Sequence, residues 1–548
     1  MVTRASQVVA VGALVLLTGC DSPARSKPWR HAPDPTDEAA HAPRSPVLDD
    51  GSASPVHVAR GHALRIHVDA EPGRLSPILA PSVWARRITL GTIFEPLVRE
   101  SAGGYSPRLA KSWRVMPGGM EIRVELEDGV VFHDGRPLTT SDVQFTLDAV
   151  RDPKKGVDHL RPLLDDVDAI ELVTSREIRL RLKRPSGWVL RALAEIPILP
   201  MHVYDGSLAA GGALVGTGPY KFVSNKGGVV HLQRFDKYWR GPVAIADLDF
   251  VYQPDAAIAL TAAKRGEIDI VPALVPAHWP DQAVAPSIAA AFRPLALVPP
   301  RLRYLAMNAA RAPLDDARVR HALALLVDRR TIAKRVFDGL ARPALWPIWP
   351  GGPVDGVEAP VPDFDPKTAD RLLDDAGWTD RDKDGVRDRG GKQLRLVMIA
   401  GERPPPRDPS GPKVMLERDY IVEAARRAGV VIEVKTGGAE WLAKRLADGA
   451  YDVAELQWGG MADGDPSALV GKSDARIGRV LDALAAAYDP AERKKLAPEL
   501  AAALSDSWPI AGIVAEAPQG LVHKRVTGVA IWDGWIDLAQ VSFDPKAP

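Results

Sequence analysis

The sequence predicts a mixed α/β protein, and three observations carry that expectation. VELEDGVVFHDGRPLTT, from Val124 to Thr140, alternates apolar and polar residues around Asp128-Gly129 and Asp134-Gly135, the pattern of successive hairpin strands. TTSDVQFTLDAV follows with Thr139 and Asp142 at capping-box spacing and Leu138 and Val143 placed as a hydrophobic staple, so a helix starts near Thr139. Farther along, Val319, Ala322, Leu323, Leu326 and Val327 fall on one helical face behind the acidic pair Asp315 and Asp316. With 46% apolar residues in a chain of 548, a large core is available, enough for roughly three to four domain-sized units.

Ahead of that body lies LVLLTGCDS, which holds Cys20, the sole cysteine, so no internal disulfide can form. Arg4, the apolar run Val8 to Leu17 and the small residues Thr18 and Gly19 have the layout of a secretory signal, and the run is too short to span a bilayer. Leu17-Thr18-Gly19-Cys20 resembles a bacterial lipobox, which implies a signal peptide over 1–19, diacylglyceryl transfer to Cys20 and a mature chain tethered by acyl chains. Asp21 resembles an inner-membrane retention signal, so the expected location is the periplasmic side of the inner membrane. Residues 20–61 then carry seven prolines with little apolar periodicity, as an unpacked linker would; His31, His41 and His57 within it match no common metal spacing.

Lys plus Arg equals Asp plus Glu at 70 each, and nothing in that balance argues for a nucleic-acid partner. No HExxH or GxSxG occurs, and GKS at Gly471 to Ser473 has Pro466 where a phosphate loop needs its first glycine. These exclusions leave no nucleophile or metal constellation for a hydrolase, and the expectation is no enzyme and no cofactor. The nearest approach to a metal site is WTDRDKDGVRDRGG. Asp380, Asp382, Asp384 and Gly385 match the first half of an EF-hand loop and Asp388 its ninth position, but the twelfth is Gly391 rather than a bidentate Glu. The stretch reads either as a charged surface turn or as a weak structural calcium site.

Three other stretches place backbone or aromatic groups where a ligand could meet them. GTGPY, from Gly216 to Tyr220, makes a sharp turn that lets backbone approach another segment or a ligand. YDVAELQW reads as a strand delivering Trp458, Gly459, Gly460 and Met461 into a loop beyond its carboxyl end, where α/β folds commonly bind ligands. Trp346 and Trp349 in LWPIWPGG are open to two readings, cleft lining or simple loop packing.

Four stretches taken together carry a family resemblance: LAKSW at Leu109 to Trp113 followed by FHDG at Phe132 to Gly135; GTGPY with Tyr238-Trp239; Met307-Asn308 followed by Ala309 to Val327; and Tyr451-Asp452-Val453 running to Trp458 and Asp465-Pro466. In order and spacing, from about residue 62 onward, the chain resembles extracellular solute-binding proteins of family 5, the group that includes oligopeptide- and dipeptide-binding proteins of ABC importers. The resemblance implies a two-lobed α/β periplasmic-binding-protein fold of the large peptide-binding type, with an extra domain inserted in the N-terminal lobe. Lobe I would take 62–95, 213–297 and 515–548, the inserted domain 96–212, and lobe II 298–514. It also implies a monomer that captures a peptide or small solute between the lobes and hands it to a permease and ATPase complex. The alternative is a sensing lipoprotein on the same scaffold for a sugar, metal chelate or other solute.

Candidate ligand contacts are then Trp458, Gly459, Gly460, Met461, Asp463, Asp465, Trp346, Trp349 and Asn308. In peptide-binding relatives, a loop resembling W-x-x-D-x-x-x-P supplies an aspartate for the ligand's ammonium. Here Met461 stands at that spacing and the loop to Pro466 is one residue longer, so Asp463 or Asp465 takes the role or the ligand lacks a free amine.

Overall fold

The chain is seen in a computed structural model that describes residues 63–545, apart from 80–81, 102–103, 158, 206, 209–213, 276–277, 298–300, 338, 349–359, 403–415, 459–473 and 533–534. Cys20 and the linker therefore lie outside the described residues.

Three sheets organise the molecule. The first has seven strands in the order Phe292–Leu295, Gly520–His523, Ile270–Val271, Ala63–Val68, Asp247–Tyr252, Val229–Arg234 and Tyr220–Lys226. The second has six: Ala341–Pro343, Ile510–Glu516, Arg301–Met307, Val453–Trp458, Arg395–Gly401 and Val431–Gly437. Between the first two strands of the first sheet met along the chain, Ala63–Val68 and Tyr220–Lys226, comes a separate four-stranded layer, Ala110–Val115, Glu121–Leu126, Glu177–Leu182 and Val167–Leu172. The chain crosses from the first sheet to the second after Leu295 and returns after Glu516. One apolar core unites the first sheet with the four-stranded layer, and a second, separate core lies around the six-stranded sheet.

Local chemistry explains the elements that matter here. The helix Thr140–Arg151 starts behind Thr139, whose backbone N–H (2.9 Å) and hydroxyl (2.8 Å) both donate to the Asp142 carboxylate. Ala317–Leu325 is likewise helical, with the Asp316 side chain accepting from the Arg318 N–H at 2.9 Å. Glu121–Leu126 forms as expected, but the stretch after it does not become a second strand of a hairpin. Val131 makes a single bridge to Pro137 around a tight turn, and Glu121–Leu126 pairs instead with Ala110–Val115 and Glu177–Leu182. The reason is burial without a partner edge: Val130 and Phe132 are drawn into the interior while the positive φ of Gly129 and Gly135 folds the chain back on itself.

GTGPY closes against backbone. A Cβ on Gly216 would lie 2.0 Å from the Ile93 carbonyl oxygen, and one on Gly218 would lie 2.2 Å from that of Thr92. His133 joins the same stitch. Its Nε2–H donates to the Gly218 carbonyl (2.9 Å), its Nδ1 accepts from the Gly216 N–H (3.3 Å), and burial pushes the imidazole down to about 4, so it is neutral at pH 7. Beside it the fully buried Glu95 pairs with Arg108 at 2.7 Å and accepts from Thr217 (3.0 Å), the Tyr238 hydroxyl (2.8 Å) and the Trp239 indole (3.0 Å). Arg108, the residue just ahead of LAKSW, Thr217 of GTGPY, and Tyr238-Trp239, far apart in sequence, thus meet around one buried charge.

Candidate functional site: the facing ends of the two sheets

Parallel strands leave their carboxyl ends unblocked by returning chain, and ligands of open α/β sheets gather there. In the second sheet those ends belong to Arg395–Gly401 and Val453–Trp458, which run parallel to each other beside the antiparallel strand Arg301–Met307. Register sets Arg301 opposite Glu516 and Arg303 opposite Gln457, so pleating puts these four side chains on one face. Arg303 donates through Nε to Glu516 and through Nη1 to Glu417 at 2.6 Å, with the Phe337 ring 5.3 Å beneath its guanidinium. Burial alone would lower the Arg303 pKa, but Glu516 and Glu417 outweigh it and the guanidinium is held more firmly charged. Gln457 donates to Glu516 at 3.2 Å, and Arg418 lies 2.8 Å from Glu455.

In the first sheet, Ala63–Val68 runs parallel to its two neighbours and ends at Asp69. The Trp84 indole donates to Asp69 at 2.6 Å from the helix Val83–Thr89, and on that helix Arg87 sits over two rings, 5.0 Å from Trp84 and 4.4 Å from Trp535. Burial and the repulsion of Arg301 bring Arg87 down to about 9, with Asp69 offsetting part of the effect. Arg301 is lowered as well, by burial and by Arg303, against attraction from Glu516 and Asp69. The charge of Arg301 thus bears on Arg87, and that of Asp69 on Arg301.

The residues singled out from sequence fall unevenly around this site. Trp458 ends its strand opposite Leu302, so its ring lies half-buried against the second core, on the other face from Gln457. Trp346 is 2% exposed inside that core and tilts against Trp508 with ring centroids 5.3 Å apart. The Asn308 amide donates to the carbonyls of Gly449 (3.2 Å) and Tyr451 (3.1 Å), tying strand end to loop. Gly459, Gly460, Met461, Asp463, Asp465 and Trp349 lie outside the described residues.

Asp380, Asp382 and Asp384 each bring a carboxylate oxygen within 4.8 Å of the others, all exposed; Asp388 is not in that group and opens a short hairpin. Asp384 accepts from the Val386 N–H (2.8 Å) and the Gln393 amide (2.7 Å), and Lys383 adopts φ 61°, so the carboxylates brace a tight turn. A cavity of about 390 Å³ in the four-stranded layer, lined by Asp148, Arg151, Asp165 and Lys183 among others, has its charges engaged within its own walls: Arg151 with Asp148 at 3.4 Å and Lys183 with the Asp165 carbonyl at 2.8 Å.

Sequence reasoning missed Asp69, Arg87, Arg301, Arg303 and Glu516. For two of them a signal existed: RLRYLAM puts arginines two apart on an otherwise apolar strand, which places two charges on one face of a buried element.

Comparison with known proteins agrees with this geometry. The profile of bacterial extracellular solute-binding proteins, family 5 Middle, matches residues 104–475. The oligopeptide-binding protein AppA of Bacillus subtilis is 29% identical over 349 residues, which cover 61% of this chain and 61% of AppA. The di/tripeptide-binding protein 2 of Pseudomonas aeruginosa is 26% identical over 447 residues, covering 76% of this chain and 79% of that protein. Among solved structures, AppA in complex with a nonapeptide superposes with a TM-score of 0.70 at 19% identity, covering 88% of this chain and 99% of AppA. NikA from Brucella suis in complex with Fe(III)-EDTA gives 0.74 at 22% identity, covering 88% of this chain and all of NikA, 100%. The fold is therefore the two-lobed α/β arrangement of periplasmic peptide-binding proteins.

Proposed function

The chain belongs to the bacterial extracellular solute-binding proteins of family 5, whose members bind solutes and are not enzymes, and on that premise we propose that it is the substrate-binding component of an ABC importer that captures a peptide or peptide-like solute. The observation that carries this reading is the family match over residues 104–475, on a fold whose two large sheets are joined by two crossings of the chain, after Leu295 and after Glu516. In the proposed division, lobe I comprises 62–95, 213–297 and 515–548, the inserted domain 96–212 and lobe II 298–514. The solute lies between the lobes, which close about the two crossings, and Asp463 receives its ammonium group. The closed, monomeric form presents its load to the permease and ATPase complex.

A non-peptide solute is the second reading, favoured by Met461 standing where peptide-binding relatives carry an aspartate. The nickel-binding periplasmic protein of Escherichia coli is 27% identical over 322 residues. Native mass spectrometry of the protein as purified separates the two. Bound masses that fragment as peptides support the first reading, and non-peptide masses alone overturn it.

Attachment to the membrane is assigned to Cys20, since the apolar run Val8 to Leu17 is too short to hold an exported chain in a bilayer while two acyl chains suffice. Cys20→Ala should move the protein from the membrane pellet to the soluble fraction; retention after a carbonate wash would rule the anchor out.

A further inference from the structure

Two crossings of the chain join the large sheets, after Leu295 and after Glu516, yet a further contact ties the same two bodies together without a chain connection. It is made by the turn between the helices Ala475–Ala486 and Pro490–Ser507, which pack on the second core through Leu481, Leu484, Leu500 and Leu504. From that turn Tyr488 reaches out of its own lobe and lays a half-buried ring against the first core. Its hydroxyl accepts from the Ser186 N–H at 2.9 Å and donates to the Gly119 carbonyl at 2.8 Å, so one side chain pins two turns of the four-stranded layer. The Gly187 N–H donates to the Ala485 carbonyl at 2.6 Å, and Ser186 beside it is fully buried. A Cβ on Gly187 would lie 2.5 Å from the Ala487 carbonyl oxygen, so the two backbones touch. Arg184 and Asp482, 4.0 Å apart and well exposed, flank the contact and add little.

Hydrogen bonds of this kind weaken steeply as their angle and length depart from the optimum, and touching backbones cannot slide. A rotation of one lobe on the other about the crossings therefore parts Tyr488 from its two turns, while the two cores, which are separate, stay as they are. Three hydrogen bonds of modest net worth bias a two-state equilibrium without locking it. Resting on the solute-binding reading above, we propose that Tyr488, Ser186, Gly187 and Gly119 form a clasp that is made in the closed form and released in the open one, and that sets the balance between them without holding the solute. The four-stranded layer shares the first core, so gripping the layer grips the first lobe.

The test uses ligand-cleared protein with nitroxide labels at Lys155→Cys and Lys495→Cys, exposed positions on either side of the clasp, in a Cys20→Ala background that leaves no other thiol. Electron–electron distance measurement should give a shorter and a longer population. Tyr488→Phe, which keeps the ring and loses only the bridging hydroxyl, should lower the ratio of shorter to longer by about fivefold. Gly187→Ala, whose methyl meets the Ala487 carbonyl, should all but abolish the shorter population. Both variants should keep the wild-type far-UV spectrum. A single distance shared by the wild type and both variants overturns the clasp, because the contact is then either permanent or never made.

A second arm titrates tetra-alanine into the same proteins by calorimetry. Its affinity should fall by a similar factor in Tyr488→Phe, since loss of the clasp taxes the closed, retaining form. Unchanged affinity in both variants overturns the clasp as a control on capture and leaves peptide capture standing. Distance populations that respond as expected, with no binding of the peptide by any of the proteins, count against peptide capture and leave the clasp standing.

Discussion

Glu95 and the pair Arg87 and Arg301 are two ways of putting charge inside one protein. The Glu95 carboxylate is enclosed by partners: Arg108 supplies the opposite charge, and Thr217, Tyr238 and Trp239 donate to its oxygens. Such a centre gains from being closed and has nothing left to offer a ligand. Arg87 and Arg301 carry like charge, are half-buried, and have no side-chain partner for their N–H donors among the described residues. Buried charge that builds structure is paired from within, and the arginines at the sheet ends are not paired in that way among the described residues.

Mutation should separate the two centres sharply. The largest effect is expected for Glu95→Gln, which strands the buried Arg108 guanidinium without a counter-charge and should destabilise by about 3–5 kcal/mol, read by urea denaturation. A loss below about 1 kcal/mol would show that Arg108 finds another partner or water.

A smaller loss, about 1–3 kcal/mol, is expected for Gly218→Ala, whose new methyl meets the Thr92 carbonyl and forces the GTGPY stitch apart. If that variant melts with the wild type, the close approach is not a constraint.

Arg87→Gln should go the other way and leave the ligand-free protein as stable as the wild type or more so, by at most about 1 kcal/mol. Arg87 feels the charge of Arg301, on a strand of the second sheet, and of Asp69, beyond the first strand, with Trp84 and Trp535 packed on it. Its pKa in the folded protein is about 9, below the ordinary arginine value of 12.5 that the unfolded chain keeps. Below pH 9 both states hold the proton and the folded state bears the whole penalty; above it the folded state releases a proton that the unfolded state retains, so wild-type stability recovers. The advantage of the Gln variant should therefore be greatest at neutral pH and shrink as pH rises through 9, and a gap that is flat or widens would contradict the repulsion.

Much of the scaffold was legible because its signals are local. Thr139 with Asp142, Asp316 ahead of the Val319 face, and the YDVAELQW strand each lie within a few residues of the structure they cause. The expected hairpin after Glu121–Leu126 failed because alternation records which side chains are buried and says nothing about whether a partner edge is available. For GTGPY the sequence left open what the backbone approaches, and the structure supplies Thr92 and Ile93. The cleft charges were hidden for a different reason. Whether an arginine is paired depends on groups hundreds of residues away, as Arg303 with Glu516 and Glu417 illustrates, and no spacing in the chain encodes it.

The position of Gly520–His523 has a consequence for synthesis. This strand is not at the edge of the first sheet but lies inside it, hydrogen-bonded on one side to Phe292–Leu295 and on the other to Ile270–Val271. A nascent chain cannot complete that sheet until residue 523 has left the ribosome, and at about 5–20 residues per second this comes roughly 20–90 s after the strand Ala63–Val68 has been made. Throughout that interval the first core lacks Val522 and the satellite core lacks Leu521, so neither can close before the last part of the chain arrives.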